Sequence, residues 1–195
     1  MRLITEEYRA QQAALHASNP GYGMASELFA PTVAKLIESR GASELLDYGA
    51  GKGRLGKELA RLLGAACPPV RHYEPAVPEW ALAPEPADMV ACIDVLEHIE
   101  PDCLEGVLQD LARVTARVGL FTIHTGPAVK TLPDGRNAHL IQEPVEWWLP
   151  LLFQHFTLTF LQRLPGGFLV IAEPDCPPSP RLRPGSACPP ATSRP

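Results

Sequence analysis

Residues 45–56 read Leu-Leu-Asp-Tyr-Gly-Ala-Gly-Lys-Gly-Arg-Leu-Gly. A short apolar run ends at Asp47 and Tyr48, glycines follow, and a helical pattern takes over at residues 54–63 (RLGKELARLL). A buried strand turning through glycines into a helix is the first unit of an open α/β sheet, whose ligands sit at the strand ends. Glycine suits such a turn because it adopts positive φ freely and leaves room for a ligand against the main chain. Three patterns fit the same residues. Gly51, Gly53 and Gly56 satisfy G-x-G-x-x-G, the dinucleotide fingerprint. Gly51 to Gly56 with Lys57 fit the front of a phosphate-binding loop. There Glu58 stands where Ser or Thr would hold magnesium, and its carboxylate would repel a triphosphate. The third is D-x-G-x-G-x-G, made of Asp47, Gly49, Gly51 and Gly53. Its carboxylate suits a cationic amino group and repels a pyrophosphate.

Outward from this loop, the chain alternates. Helices are expected over 3–17, closed by Asn19-Pro20-Gly21, and over 25–39, closed by Gly41. Strands are expected at 44–48, 70–73, 88–93 and 118–123, with a helix opened by Pro101 and running to about residue 115. A short helix at 144–153 precedes two strands, 157–163 and 167–172, joined by a tight Leu-Pro-Gly turn. Strands alternating with helices predict a doubly wound, mostly parallel α/β sheet, closed by an antiparallel C-terminal hairpin.

Composition bounds the rest. The chain has 195 residues, 46% hydrophobic and 20% charged, as an ordinary globular domain has. Its net charge of −5 and the absence of a basic stripe disfavour nucleic acid as a partner. No apolar run is long enough to span a membrane, and the polar, acidic N-terminus is not a secretory or transit signal. Five cysteines, none in a C-x-x-C pair, point to reduced thiols and a cytoplasmic location. Prolines crowd the end of the chain. The expected organisation is a folded unit over 1–173, with N-terminal helices to residue 43 and a core from 44, followed by a disordered Pro-rich tail over 174–195.

The third glycine pattern resembles motif I of the class I S-adenosylmethionine-dependent methyltransferases. Two further stretches resemble the same family. His72-Tyr73-Glu74 ends the second strand, with Glu74 placed 21 residues past Gly53, where an acidic residue accepts both ribose hydroxyls. Residues 88–99, DMVACIDVLEHI, are similar to the family's fourth strand and its Leu-Glu-His-Ile turn. The resemblance spans roughly residues 44–172. It implies a Rossmann-like fold, the N-terminal helices as a lid, and S-adenosylmethionine as cofactor. The cofactor contacts it implies are Asp47, Gly49, Gly51, Gly53, Glu74 and Asp94, with Tyr22 from the lid. One departure is visible. Residues 75–87 carry Pro75, Pro78, Pro84 and Pro86 where the family fits a helix and a third strand. The sheet should be shortened there, with Trp80 either stacking on adenine or covering the exposed core edge.

In an open α/β sheet the chemistry sits past the strand ends, so the polar stretch HTGPAVKTLPDGRNAHL, residues 124–140, is the place for a methyl acceptor. His124 is the first choice for a general base or acceptor-orienting group and His139 the second, since histidine titrates near neutrality. Lys130, Arg136 and Asn137 are candidates for binding substrate, and so is Trp148, with Asp134-Gly135 a turn. No metal site is expected, because the histidine and carboxylate spacings match no strong ligand motif. The expected function is methylation of oxygen or nitrogen on a small-molecule acceptor. The alternatives are an NAD(P)-dependent oxidoreductase and a non-catalytic S-adenosylmethionine-binding protein.

Overall fold

The computed structural model describes residues 2–18 and 24–175. The two N-terminal helices are α1 (Glu6–Ser18) and α2 (Ala25–Arg40). The sheet then builds as β1 (Leu45–Tyr48), α3 (Arg54–Leu63), β2 (Val70–Tyr73), β3 (Ala87–Ile93), α4 (Pro101–Val114) and β4 (Thr115–His124). The chain continues through α5 (Val145–Phe153), β5 (Phe156–Leu164) and β6 (Gly167–Pro174). The strand order is β2-β1-β3-β4-β6-β5. Pairing is parallel from β2 through β4, and β6 alone runs antiparallel to its neighbours. The architecture is the mostly parallel, doubly wound sheet with a closing hairpin that the sequence predicts.

The core follows from the two-residue period of a strand covered on both faces. Met89, Ala91 and Ile93 of β3 pack with Val33 and Ile37 of α2 and with Leu55 and Leu59 of α3. Val90 and Cys92 face the other way, toward Leu104, Leu108 and Leu111 of α4 and Trp148 of α5. Local signals fix the helix ends. Gly41 takes φ 59 and closes α2, with its N–H donating to the Glu38 carbonyl. Pro101 stands at the first turn of α4, where its missing N–H costs nothing.

Three features differ from the sequence reading. Strand β4 starts at Thr115, directly after α4, because pairing with β3 at one end and β6 at the other holds residues whose own pattern is ambiguous. His124 is therefore the last residue of β4, paired with Gly167, and not the first residue of a loop. At the other end, Pro174 still pairs with Phe156, and Asp175 accepts a hydrogen bond from the Thr157 hydroxyl at 2.9 Å. The body thus reaches two residues into the segment expected as tail, and the remainder of that segment, 176–195, lies outside the described residues.

The sheet ends at β2, with no further strand beyond it among the described residues. Prolines deprive residues 75–86 of N–H donors, so side chains tie the segment down through its carbonyls. Arg71 donates to the carbonyls of Glu85 and Pro86, and Arg113 to that of Pro84. Only a single 3₁₀ turn, Pro78–Trp80, forms between β2 and β3.

Helix α1 lies over the strand ends. Thr5 caps it, accepting from the Tyr8 N–H, and Thr5 itself donates twice to the Glu100 carboxylate, both at 2.8 Å. The Tyr8 hydroxyl donates to the His98 carbonyl at 2.7 Å. Tyr8 also packs with Leu132 and Ala138, which joins α1 to the loop after β4.

Candidate functional site

A cavity of about 410 Å³ opens at the carboxyl ends of β1, β2, β3 and β4, beneath α1. Its two halves are built differently.

The first half is a glycine turn. Gly49, Gly51 and Gly53 all take positive φ, at 78, 54 and 64 degrees. A Cβ on Gly49 would run into the Val95 side chain, and one on Gly51 would meet His16 Cε1 at 3.4 Å. The N–H groups of Gly49 and Ala50 both donate to the Tyr73 carbonyl, at 2.8 and 3.0 Å, which locks the turn onto the end of β2. The next residue, Glu74, accepts from the Gly51 N–H through Oε2 and from the Ala76 N–H through Oε1, each at 3.1 Å. Burial raises the Glu74 carboxyl above its ordinary value, against the lowering effect of those two N–H groups. Gly49, Gly51, Glu74 and Asp94 all line the cavity. Asp94 is the one residue other than glycine with positive φ among those described, at 50 degrees, and its Oδ1 accepts from the Thr122 hydroxyl at 2.6 Å.

Other expected cofactor contacts sit elsewhere. Asp47 is buried beneath the turn and does not line the cavity; its Oδ2 stands 3.3 Å from His72 Nδ1. Burial raises its carboxyl, partly offset by His72. Gly53 caps α3 away from the void, under the Trp80 ring, and Trp80 packs at a tilt on His72 with ring centres 4.6 Å apart. Trp80 therefore covers the shortened edge of the sheet rather than the cavity. Tyr22 lies outside the described residues.

The second half is a group of imidazoles. His98, His124 and His139 line it, with His139 centred 4.8 Å from His98 and 4.9 Å from His124. His98 Nδ1 is 2.7 Å from the Ala138 carbonyl, and His139 Nδ1 is 2.6 Å from the Gly126 carbonyl. A carbonyl only accepts, so Nδ1 of each ring carries the proton and Nε2 keeps its lone pair. His124 differs, because its Nδ1 lies 3.2 Å from the Gly126 nitrogen and 3.3 Å from the Gly126 carbonyl oxygen, so either tautomer finds a partner there. Burial pushes His98 down to about 4, with further lowering from His139, and burial also lowers His139. Both rings are neutral at pH 7. Below them Glu97 is fully buried, and its Oε1 accepts from the His124 N–H at 3.0 Å. Burial first and Asp94 second raise its carboxyl well above the ordinary value.

Of the expected substrate contacts, Lys130 lines the cavity. Arg136, Asn137 and Trp148 do not, each for a visible reason. Arg136 folds back on Asp134 and lies over the Tyr8 ring. Asn137 staples the loop, bonding both the N–H and the carbonyl of Ala128 and accepting from the His139 N–H. Trp148 is fully buried in the core and donates to the Glu143 carbonyl.

Sequence reasoning expected the N-terminal helices as a lid but missed the residues of α1 that face the site. Tyr8, Gln12 and His16 line the cavity, and His16 Nε2 is 3.9 Å from Glu74 Oε2. Their spacing of four residues places them on one helical face, a signal that was readable. Glu97 stands in the Leu-Glu-His-Ile turn, but its place beneath His124 had no signal, since only the fold brings it there.

No protein-family model matches the chain, and no curated protein matches it. Solved structures do. One is a Burkholderia thailandensis 1,6-didemethyltoxoflavin-N1-methyltransferase with bound 1,6-didemethyltoxoflavin and S-adenosylhomocysteine. It superposes with a TM-score of 0.64 at 20% identity, over 89% of this chain and 92% of that one. DhpI in complex with SAH gives 0.54 at 18% identity, over 88% and 98%. The magnesium protoporphyrin IX methyltransferase of Synechocystis PCC 6803, with bound SAH, gives 0.51 at 12% identity, over 84% and 93%. At such identities the shared property is architecture: the chain has the Rossmann-like fold of these methyltransferases.

Proposed function

We propose that this protein is a cytoplasmic methyltransferase that uses S-adenosylmethionine to methylate oxygen or nitrogen on a small-molecule acceptor. The observation that carries the reading is the meeting of Gly51 and Glu74. The glycine turn and the acidic residue of the next strand are joined by one hydrogen bond and both face the cavity. The residues fit the cofactor. Gly49 and Gly51 leave the main chain bare on the cavity side, and Glu74 offers a carboxylate to ribose hydroxyls. Asp94 is the carboxylate that faces the void for the cationic end, in place of the covered Asp47. When bound, the cofactor supplies an electrophilic methyl group and its own leaving group, so the protein mainly aligns the acceptor.

His124 then serves as an orienting group. Its Nδ1 is engaged by the Gly126 main chain, which leaves Nε2 as the ring nitrogen to meet the acceptor. His98 and His139 offer lone pairs to an N–H or O–H of the acceptor, and Lys130 adds a cation to that wall.

The oxidoreductase alternative is weakened by the start of α3. A pyrophosphate would sit on that helix N-terminus, yet Gly53 there is covered by Trp80 and His72. Calorimetry with S-adenosylmethionine, S-adenosylhomocysteine and NADH tests the reading. The first two should bind and NADH should not; the reverse pattern overturns it. Release of S-adenosylhomocysteine with surrogate phenols or amines separates an enzyme from a protein that only binds the cofactor.

A further inference from the structure

The acceptor half of the cavity holds a feature that methyl transfer does not require. One ligand atom from each of Glu97, His98 and His139 lies within 4.8 Å of the other two. Glu97 is fully buried, forms no ion pair among the described residues, and its Oε2 has no hydrogen-bond partner. A buried carboxylate oxygen left without a donor is costly and calls for a cation or a proton. The two histidines are prepared in the way metal ligands usually are. Each gives its Nδ1–H to a main-chain carbonyl, at 2.7 Å for His98 and 2.6 Å for His139, which fixes the ring and puts the lone pair on Nε2. Glu97 is likewise held in place, by the His124 N–H on its other oxygen.

We propose that Glu97, His98 and His139 bind one divalent first-row transition-metal ion, such as zinc, cobalt or manganese. Two imidazoles and one carboxylate select these ions over magnesium and calcium, which prefer oxygen ligands throughout. Ligands about 2.1 Å from a tetrahedral ion lie roughly 3.4 Å apart, so the widest separation in the cluster must contract by about 1.4 Å, within reach of side-chain adjustment. His98 and His139 line the cavity, so the ion would keep its open positions toward the void. On the methyl-transfer reading, those positions would take an oxygen or nitrogen of the acceptor, in place of the direct hydrogen bonds to the two rings. The site itself does not depend on that reading, because the metal is tested alone.

The full-length protein, dialysed against a chelator, is titrated with ZnCl₂ by calorimetry and with CoCl₂ by visible absorption. One ion per chain should bind, with intense cobalt bands of a site of low coordination number, while MgCl₂ gives no heat. His139→Ala should weaken binding by more than the roughly 10–100-fold that an outer-shell partner is worth. Glu97→Gln should do the same, and His139→Gln stands in if either variant melts early. His155→Ala is the control, since His155 lies beside Glu105, outside the cluster. Absence of saturable 1:1 binding overturns the proposal. So does binding that survives the His139 substitutions, or that is lost in His155→Ala. Calorimetry with S-adenosylhomocysteine on the same samples reports the cofactor reading separately.

Discussion

The two halves of the cavity are made of different material. Around β1 and β2 the surface is main chain: bare glycines, two N–H groups on the Tyr73 carbonyl, and one carboxylate clasped by amides. Beyond β4 it is side chain: three imidazoles, two of them aimed by carbonyls of a loop that Asn137 and α1 hold in place. A main-chain site depends on residues that are irreplaceable for backbone reasons. A side-chain site depends on how distant segments happen to meet. The first is fixed by strand and turn, and the second can be retuned by changing a loop.

The largest expected effect tests the main-chain half. In Gly51→Val a branched residue must hold φ near 54, at a cost of about 1–3 kcal/mol, and its side chain enters the cavity beside His16. S-adenosylhomocysteine binding should become undetectable by calorimetry while the chain still melts cooperatively. Retained affinity would show that the cofactor does not lie against this turn. Glu74→Ala comes next, with affinity weaker by about 1–3 kcal/mol for the lost charged hydrogen bonds. It has a pH signature. Burial raises the Glu74 carboxyl, so it takes up a proton above the ordinary glutamate value of about 4.3. Cofactor affinity should therefore be flat near neutrality and fall as pH drops through that raised value. The apo protein should show the opposite tendency from this group, because protonation relieves its burial penalty. In Glu74→Ala the acid-side fall in affinity should disappear.

The same contrast explains what the sequence disclosed. Asp47 to Gly53 and Glu74 are linked by one strand-helix-strand unit, so spacing alone locates Gly49, Gly51 and Glu74. It could not tell that Asp47 points under the turn, because that depends on His72 of the neighbouring strand. The loop after β4 was located by the rule that ligands sit at strand ends, and His124, Lys130 and His139 do line the cavity. Their roles were hidden, since they turn on which ring atom meets which carbonyl. Glu97, 27 residues before His124, is brought to it only by the pairing of β3 with β4. Arg136 and Asn137 looked like substrate contacts because polar loop residues do both jobs, stapling and binding, and composition does not separate them.

Asn137 tests the side-chain half. Its amide makes three hydrogen bonds to the loop's own main chain. Asn137→Ala should cost about 1–2 kcal/mol in urea unfolding, since water replaces part of what is lost. S-adenosylhomocysteine affinity should stay within about twofold, because the glycine turn is built separately. A parallel loss of cofactor affinity would show that the two halves fold as one cooperative site.

Arg136→Ala should give the smallest effect. Its guanidinium holds Asp134 at 2.6 and 2.8 Å, and its N–H donates to the other carboxylate oxygen. The side-chain bond to Arg136, then the main-chain one, lowers the Asp134 carboxyl to about 2. A carboxyl lowered on folding contributes stability that is present above the unfolded value of about 3.9 and is lost as pH falls through about 2. This pair is exposed, so solvent and salt screen it and the contribution is slight. Arg136→Ala should shift the melting temperature by no more than a degree or so at pH 7 and low salt, and not at all in high salt. Acceptor KM should be unchanged, since the guanidinium is turned away from the cavity and onto the Tyr8 ring. A tenfold rise in KM with an unaltered melting temperature would mean that Arg136 leaves Asp134 to hold the acceptor, and the side-chain half would extend to the rim of the loop.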